Sequence, residues 1–421
     1  MKWTLCAAVG VLVLLSSSWS HGEQLSQHVE TEVETQDGPR VDEVDMEVDL
    51  HVDVIDTDTE PTGESILPEP LWPPPDPPGS ELTDKGRNVR GIYLPVGFLV
   101  TKSVNDIVML VAQKLKATAV VLDIKDDFGR VTFSSELPMT MGRPHGMVKH
   151  MKAIVERLQE KNVYVIGRLV CFKDDVSTLR RPGIAARDRR TGKAWRNPTG
   201  NAWLDPYSEE AADLLIGVAK AAVELGFDEI QLDYVRFPVD PKSRYAVFPS
   251  RKEGVKRYEA IASLLYKMDQ AVSRPLSADV FGLTAFNESS AQLLGQVVEQ
   301  MASYLDAISP MLYLANWPEK YWQDPSYKTS YNLTYTAVKR LHARLGDEIA
   351  IRPLLQGFRF RNAIFGARYL EDQISAAQAA GAQGYLFWNQ AGYYAPVSKV
   401  WRKLDAAATS SSSSTSPKQQ P

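Results

Sequence analysis

The residues best suited to chemistry are two aspartates set into apolar runs. Asp233 lies in GFDEIQLDYVRFP (226–238), where Ile230, Leu232 and Tyr234 alternate with Gln231 and Asp233, and Arg236 follows. Strand side chains point to opposite faces at period two, so the amide and the carboxylate project together. Asp279 lies in PLSADVFG (275–282), an apolar run of the same kind. A pair of carboxyl groups is what glycosidic hydrolysis needs: one protonates the leaving oxygen and the other is nucleophile or base. The expected roles are Asp233 as nucleophile or base and Asp279 as acid. The alternative for either is a structural hydrogen bond to a neighbouring strand or loop. Asp123, in AVVLDIK (119–125), is the substitute partner; Lys125, two residues on, is expected to share its face and hold it in an ion pair.

The elements that must position these aspartates repeat with a regular rhythm after Arg87. Short apolar runs read as strands at 90–96, 119–125, 163–172, 229–237, 275–282, 304–314, 349–358 and 384–390. Helical periodicity falls between them near 104–116, 147–161, 207–225, 253–273, 291–302, 333–345 and 367–380, with a short last helix near 397–404. Eight alternating units over roughly 320 residues predict a single (β/α)8 barrel, an α/β fold with its chemistry at the C-terminal ends of the strands. A doubly wound open sheet would need a glycine-rich turn after the first strand, and Pro95-Val96-Gly97 does not supply one.

Other strand ends are polar too. Arg168, Gln231, Tyr313, Gln356, Trp388 and Asn389 are expected, with Asp123, Lys125 and Arg236, to line a polar pocket edged by aromatic rings. Charges and amides suit sugar hydroxyls, and rings suit the apolar face of a sugar. Trp317, Tyr321, Trp322, Tyr327 and Tyr331 form an aromatic stretch that could stack on sugars or pack over the barrel rim. Neighbouring strands lie about 4.8 Å apart. If Asp233 and Asp279 end adjacent strands, the pair leans toward the retaining geometry of about 5–5.5 Å.

Some acidic residues read as structural. Asp306 stands near the start of its strand, Asp205 before Pro206 reads as a helix N-cap, and Asp126-Asp127-Phe128-Gly129 reads as a turn. Arg187–Trp195 reads as a small basic hairpin turning at Thr191-Gly192; its charge faces either an anionic glycan or solvent.

Composition separates the chain into unlike parts. The formal charge of −5 hides a leader, residues 23–85, with 19 Asp/Glu against Arg40 and Lys85. The remainder from residue 86 holds 44 Lys/Arg against 33 Asp/Glu, a net of +11. Residues 1–20 read as a secretory signal peptide: Lys2, an apolar run Leu5–Leu15 and Ser18-Trp19-Ser20 as a cleavage site. That run is shorter than the roughly 20 residues that span a bilayer. Residues 21–86 read as a disordered leader, acidic and then proline-rich, 87–405 as the barrel, and 406–421 as a disordered serine-rich tail. The leader serves as a linker, a propeptide or a mask on the basic domain.

Once Cys6 leaves with the signal only Cys171 remains, so no disulfide forms within the chain, and a lone thiol in a strand reads as core. Asn287 and Asn332 head glycosylation sequons. His145, His150 and His342 form no metal-binding pair, so no metal or cofactor is expected. No nucleic acid partner or membrane span is called for, and a monomer is the expectation.

The motifs VRGIYLP, ATAVVLDIKDDFGRVTF, GKAW with WLDPYSEEAADLL, GFDEIQLDYVRFP, SADVFG and ISPMLY occur in this order over about residues 88–405. Together they resemble the glycoside hydrolase domain family related to the α-amylase-like and other (β/α)8 glycosidases. The resemblance implies the barrel, action on glycosidic bonds, and Asp233 and Asp279 as its functional acids. Gln231 stands where α-amylase-like enzymes have an Arg, and no Glu ends strand 5. Function is therefore expected to be that of a secreted glycoside hydrolase on a polysaccharide or glycan. The alternatives are a catalytically silent glycan-binding barrel and, differently, an interaction protein acting through its acidic leader.

Overall fold

The computed structural model describes Leu71 and residues 82–134, 147–317, 327–360 and 365–413. The signal peptide, nearly all of the leader, His145, Tyr321, Trp322 and the last eight residues lie outside them.

Alternation of side chains builds the barrel wall. In Ala119–Lys125 (β2), Ala119 and Val121 join the cluster inside the barrel, whereas Val120, Leu122 and Ile124 join the layer between strands and helices. The other strands are Val89–Leu94 (β1), Tyr164–Val170 (β3), Glu229–Asp233 (β4), Leu276–Phe281 (β5), Ala307–Met311 (β6), the two pieces Ala350–Ile351 and Leu354–Gln356 (β7), and Gly384–Trp388 (β8). All neighbours pair in parallel, β1 pairs with β8, and Leu354 of β7 meets Met311 of β6, so the sheet closes in chain order. Pro353, which has no N–H to give a ladder, falls in the break within β7. The fold is the expected (β/α)8 barrel.

Helices cover the outside: Val104–Val108 continuing as a π-helical stretch Met109–Lys114 (α1), Met151–Gln159 (α2), Glu209–Glu224 (α3), Arg257–Ala271 (α4), the pair Glu288–Leu294 and Val298–Ala302 (α5, α6), Tyr327–Leu345 (α7), Ala367–Ala379 (α8) and Ala395–Ser413 (α9). No helix among the described residues is long and apolar enough to cross a membrane. α9 runs well past the expected end near 404 into the expected disordered tail. Alanines at 406–408 favour helix, and the Thr409 and Ser410 hydroxyls donate back to the Asp405 and Ala407 carbonyls.

The α3 cap differs from expectation. Ser208 Oγ accepts from Ala211 N, while Asp205 accepts from Tyr207 N and Ser250 N and so ties two loops together. The hairpin turning at Thr191-Gly192 is present: Arg187 bridges Ala194, and Asp188 N donates to the Lys193 carbonyl. It also pairs, through Arg187–Asp188, with Ala246–Val247 from the loop after β4. This platform is anchored by Trp195 and Trp203, both fully buried.

Candidate active site

Period-two geometry sends one column of side chains from each strand into the barrel, and the last members of these columns meet at the C-terminal end. Asp123, Arg168 and Asp233 are the inward residues there on β2, β3 and β4, and all are buried. Arg168 is the hub. Its Nε and Nη2 donate to Asp233 Oδ2 at 2.8 and 2.6 Å, and its Nη1 donates to Asp123 Oδ1 at 2.7 Å. A third carboxylate, Asp127 at the β2 turn, lies 3.4 Å from Nη2. Burial alone would lower the Arg168 pKa, but Asp233, Asp127 and Asp123 hold it well above its ordinary value. An arginine surrounded in this way stays charged.

Asp233 is held on both oxygens. Oδ1 accepts from the backbone N–H of Tyr234 at 2.6 Å, and Tyr234 adopts φ +50, an uncommon conformation for a non-glycine residue. The chain therefore leaves β4 abruptly just beyond the carboxylate.

Asp279 has the opposite environment. Leu232 and Ala278 are register partners on β4 and β5, so Asp233 and Asp279 each follow the last paired residue of adjacent strands. Asp279 is 1% exposed, and neither of its carboxyl oxygens has a hydrogen-bond partner among the described residues. Burial, and then the nearby charge of Asp233, push its pKa well above the usual carboxylate range.

Asp123 is intermediate. Burial raises it to about 6, with Arg168 partly opposing, and the Tyr93 hydroxyl donates to its Oδ2 at 2.7 Å. Asp127, raised by burial but overruled by Arg168 and Lys173, ends below the usual range. Tyr93 stacks on Trp388 at 3.9 Å, and the guanidinium of Arg168 lies 4.8 Å from the Trp388 ring centre. Tyr313 is buried, and its hydroxyl pKa is raised by burial and then by Asp279 and Asp233. Gln231 lies in the same column as Asp233, its Nε2 3.5 Å from Ser309 Oγ.

Three expected pocket residues are used elsewhere. A register shift between Asp123 and Lys125 turns Lys125 away from Asp123. Its Nζ instead pairs with Asp174 at 2.9 Å and donates to the Val170 carbonyl, and both partners are fully buried. Gln356 is consumed by the Ala315 N–H, the Phe358 carbonyl and Tyr369. Asn389 braces the turn after β8 through the carbonyls of Gly357 and Tyr393 and the N–H of Ala391. Of the aromatic stretch after β6, Trp317 is buried against Phe286, the packing alternative, and Tyr331 stacks on Tyr335 one turn along α7. The Tyr327 side chain lies outside the description.

Asp306 Oδ2 accepts from Leu276 N at the N-terminal end of β5, a structural role as expected. Cys171 is buried core, its thiol pushed up by burial. Asn287 spends its side-chain oxygen capping α5. Asn332 is exposed on α7, but Thr334 of the same sequon is buried.

Sequence reasoning passed over Tyr93, Asp127 and Lys173. Tyr93 was legible: it falls on the inward column of β1 with Val89 and Gly91. Asp127 hid in a turn whose other aspartate, Asp126, does make the turn hydrogen bonds. Among the described residues no cluster of His, Cys, Asp or Glu could hold a metal ion.

The barrel has known counterparts. The glycoside hydrolase domain of PgaB (BpsB) from Bordetella bronchiseptica superposes with TM-score 0.55 at 11% identity, covering 75% of this chain and 98% of that one. α-L-Fucosidase isoenzyme 2 from Paenibacillus thiaminolyticus gives 0.50 at 14% identity, covering 76% and 50%. A hypothetical protein from Ruminiclostridium thermocellum is 36% identical over 45% of this chain and 97% of its own, with TM-score 0.40. No curated protein matches the chain. A family model described as "Putative glycosyl hydrolase domain" matches residues 91–394, most of the chain and nearly all of the barrel, and the chain belongs to that family.

Proposed function

We propose that the protein is a glycoside hydrolase in which Asp279 is the general acid and Asp233 the nucleophile or base. The observation that carries this reading is the contrast between two neighbouring carboxyl groups. Asp279 is buried without a hydrogen bond among the described residues, and burial and Asp233 raise its pKa well above the carboxylate range, whereas Asp233 accepts from Arg168 and from a backbone N–H. Two carboxyls whose environments push them apart are how one site supplies both acid and base. In the reaction Asp279 gives its proton to the leaving oxygen while Asp233 attacks the anomeric carbon or activates water. Arg168 fixes the attacking carboxylate in place, and Tyr93, Trp388 and Tyr313 offer rings and a hydroxyl to the sugar. Placement on adjacent strands favours the retaining course.

Family membership supports hydrolysis of glycosidic bonds, and the apolar run with a small-residue cleavage site at the N-terminus supports secretion. The test is a panel of neutral, uronic and amino-sugar polysaccharides read by reducing ends, with Asp233→Asn and Asp279→Asn in parallel. Sugar release by wild type alone is expected. Binding without release, unchanged by either substitution, would leave a glycan-binding barrel.

A further inference from the structure

The described residues include four buried basic side chains, and three of them have a carboxylate in contact. Lys125 has Asp174 at 2.9 Å, Arg168 has Asp233 at 2.6 Å, and Arg352 has Glu229 at 2.5 Å. Arg236, 8% exposed, makes no ion pair among the described residues. Its one hydrogen bond among the described residues runs from Nη1 to the Phe237 carbonyl at 3.0 Å. Around it are rings: Phe281 at 4.7 Å, and Trp203 and Tyr234 at 5.2 Å each. Rings partly substitute for water around a guanidinium, but they do not bind its N–H groups. Burial accordingly lowers its pKa, with Asp240 and Asp233 close enough to oppose the change but not to pair.

The placement is built. The Trp203 indole N–H donates to the Arg236 carbonyl at 3.2 Å, and the Phe237 N–H is bound by the Leu294 carbonyl at 2.8 Å. Arg236 thus stands three residues beyond Asp233, with its guanidinium over Phe281, two residues after Asp279 at the end of β5. Lys173 brings a second cation to the same Tyr234 ring at 4.9 Å. With Nη1 engaged by a carbonyl, the Nε–Nη2 edge of Arg236 is left as a two-donor fork, the shape that receives a planar carboxylate side-on.

We infer that Arg236 is an anion-recognition site next to the two aspartates and that the sugar it receives carries an exocyclic carboxylate, making the substrate a uronic-acid-containing glycan. This rests on the proposed glycoside hydrolysis for its biological sense, but it is tested by binding. A sulfate ester offers the same charge without a planar pair of oxygens and is the competing source of the anion.

The measurement is calorimetric titration of wild type, Arg236→Gln and Arg236→Lys with hexasaccharides of galacturonate, mannuronate and hyaluronan, with cellohexaose and maltohexaose as neutral probes and a sulfated cellohexaose as the third arm. Wild type is expected to bind at least one uronic oligosaccharide at least tenfold more tightly than either neutral probe, with affinity falling as salt rises. Arg236→Gln should lower that acidic-to-neutral ratio at least tenfold, and Arg236→Lys, which keeps charge but loses the fork, should lower it to an intermediate value. Equal wild-type affinity for neutral and uronic probes, no binding of any uronic probe, or tighter binding of the sulfated one each overturns the inference. These wild-type results hold even if a variant fails to fold. Cleavage of neutral polymers without acidic preference would leave the hydrolase standing and this inference fallen; acidic binding without cleavage of any polymer would do the reverse.

Discussion

The barrel encloses an arginine network at each end, and the two are built for different purposes. At the N-terminal end Arg352 donates from Nη1 and Nη2 to both oxygens of Glu229, Ser277 Oγ donates to the same carboxylate, and Gly86 supplies a carbonyl. One cation meets one anion, and both carboxylate oxygens are used. At the C-terminal end Arg168 serves three aspartates, while a fourth, Asp279, is buried beside them with no hydrogen-bond partner among the described residues. In the Arg352–Glu229 pair both carboxylate oxygens are bonded, and only the Arg352 Nε is left without a partner among the described residues. A buried carboxyl without a partner is costly, and on the proposed function its place at the C-terminal end of the strands gives that cost a use.

The largest effects should separate the two ends by kind. Asp279→Asn and Asp233→Asn are each expected to lower turnover by about 10²–10⁴-fold, and Asp279→Asn should leave the thermal midpoint unchanged or higher, since it removes an unsatisfied acid. Turnover that survives Asp279→Asn would break the distinction. Glu229→Gln should do the reverse, costing about 3–5 kcal/mol of stability by stranding Arg352. Urea denaturation reads the loss directly, and a variant as stable as wild type would show that the lower network holds nothing together.

Acid titration gives a smaller and sharper test. Asp123 is raised in the folded protein to about 6, so the folded state holds this proton more tightly than the unfolded one. Its contribution is complete below the unfolded pKa near 4 and declines as pH rises through 6. Between pH 4 and 6 the melting temperature should fall by about 5 °C on this account, and Asp123→Asn should flatten that part of the curve. Asp269, also raised to about 6 by burial and by Asp306, and Asp279, raised well above the carboxylate range, leave a residual slope. An unaltered curve in Asp123→Asn would remove Asp123 from the proton-holding group.

Much of this arrangement was open to reading before any coordinates. Alternation in GFDEIQLDYVRFP and PLSADVFG is local, so it placed Asp233 and Asp279 on inward columns at neighbouring strand ends. The partners of those residues are not local. That Arg168 would take Asp233 and Asp123 together depends on how three strands close into a barrel, which no single run displays. Lys125 was assigned to the wrong face because a bulge shifts the period by one, and bulges leave little trace in side-chain pattern. Gln356 and Asn389 sit at strand ends as predicted yet bind backbone there, since strand ends also leave polar groups that loops must satisfy. Arg236 is marked in the sequence by its position three residues after Asp233; its lack of an ion pair among the described residues depends on where the neighbouring carboxylates fold.

The central claim is that Asp279 is a neutral acid beside Asp233. Infrared difference spectroscopy between wild type and Asp279→Asn at neutral pH tests it most directly. The account predicts that wild type shows a protonated-carboxyl stretching band that the variant lacks, and that this band disappears only as pH is raised well above the usual carboxylate range. Loss of an ionised-carboxylate band in its place would mean that Asp279 carries no proton to give, and the assignment of acid and base would be wrong.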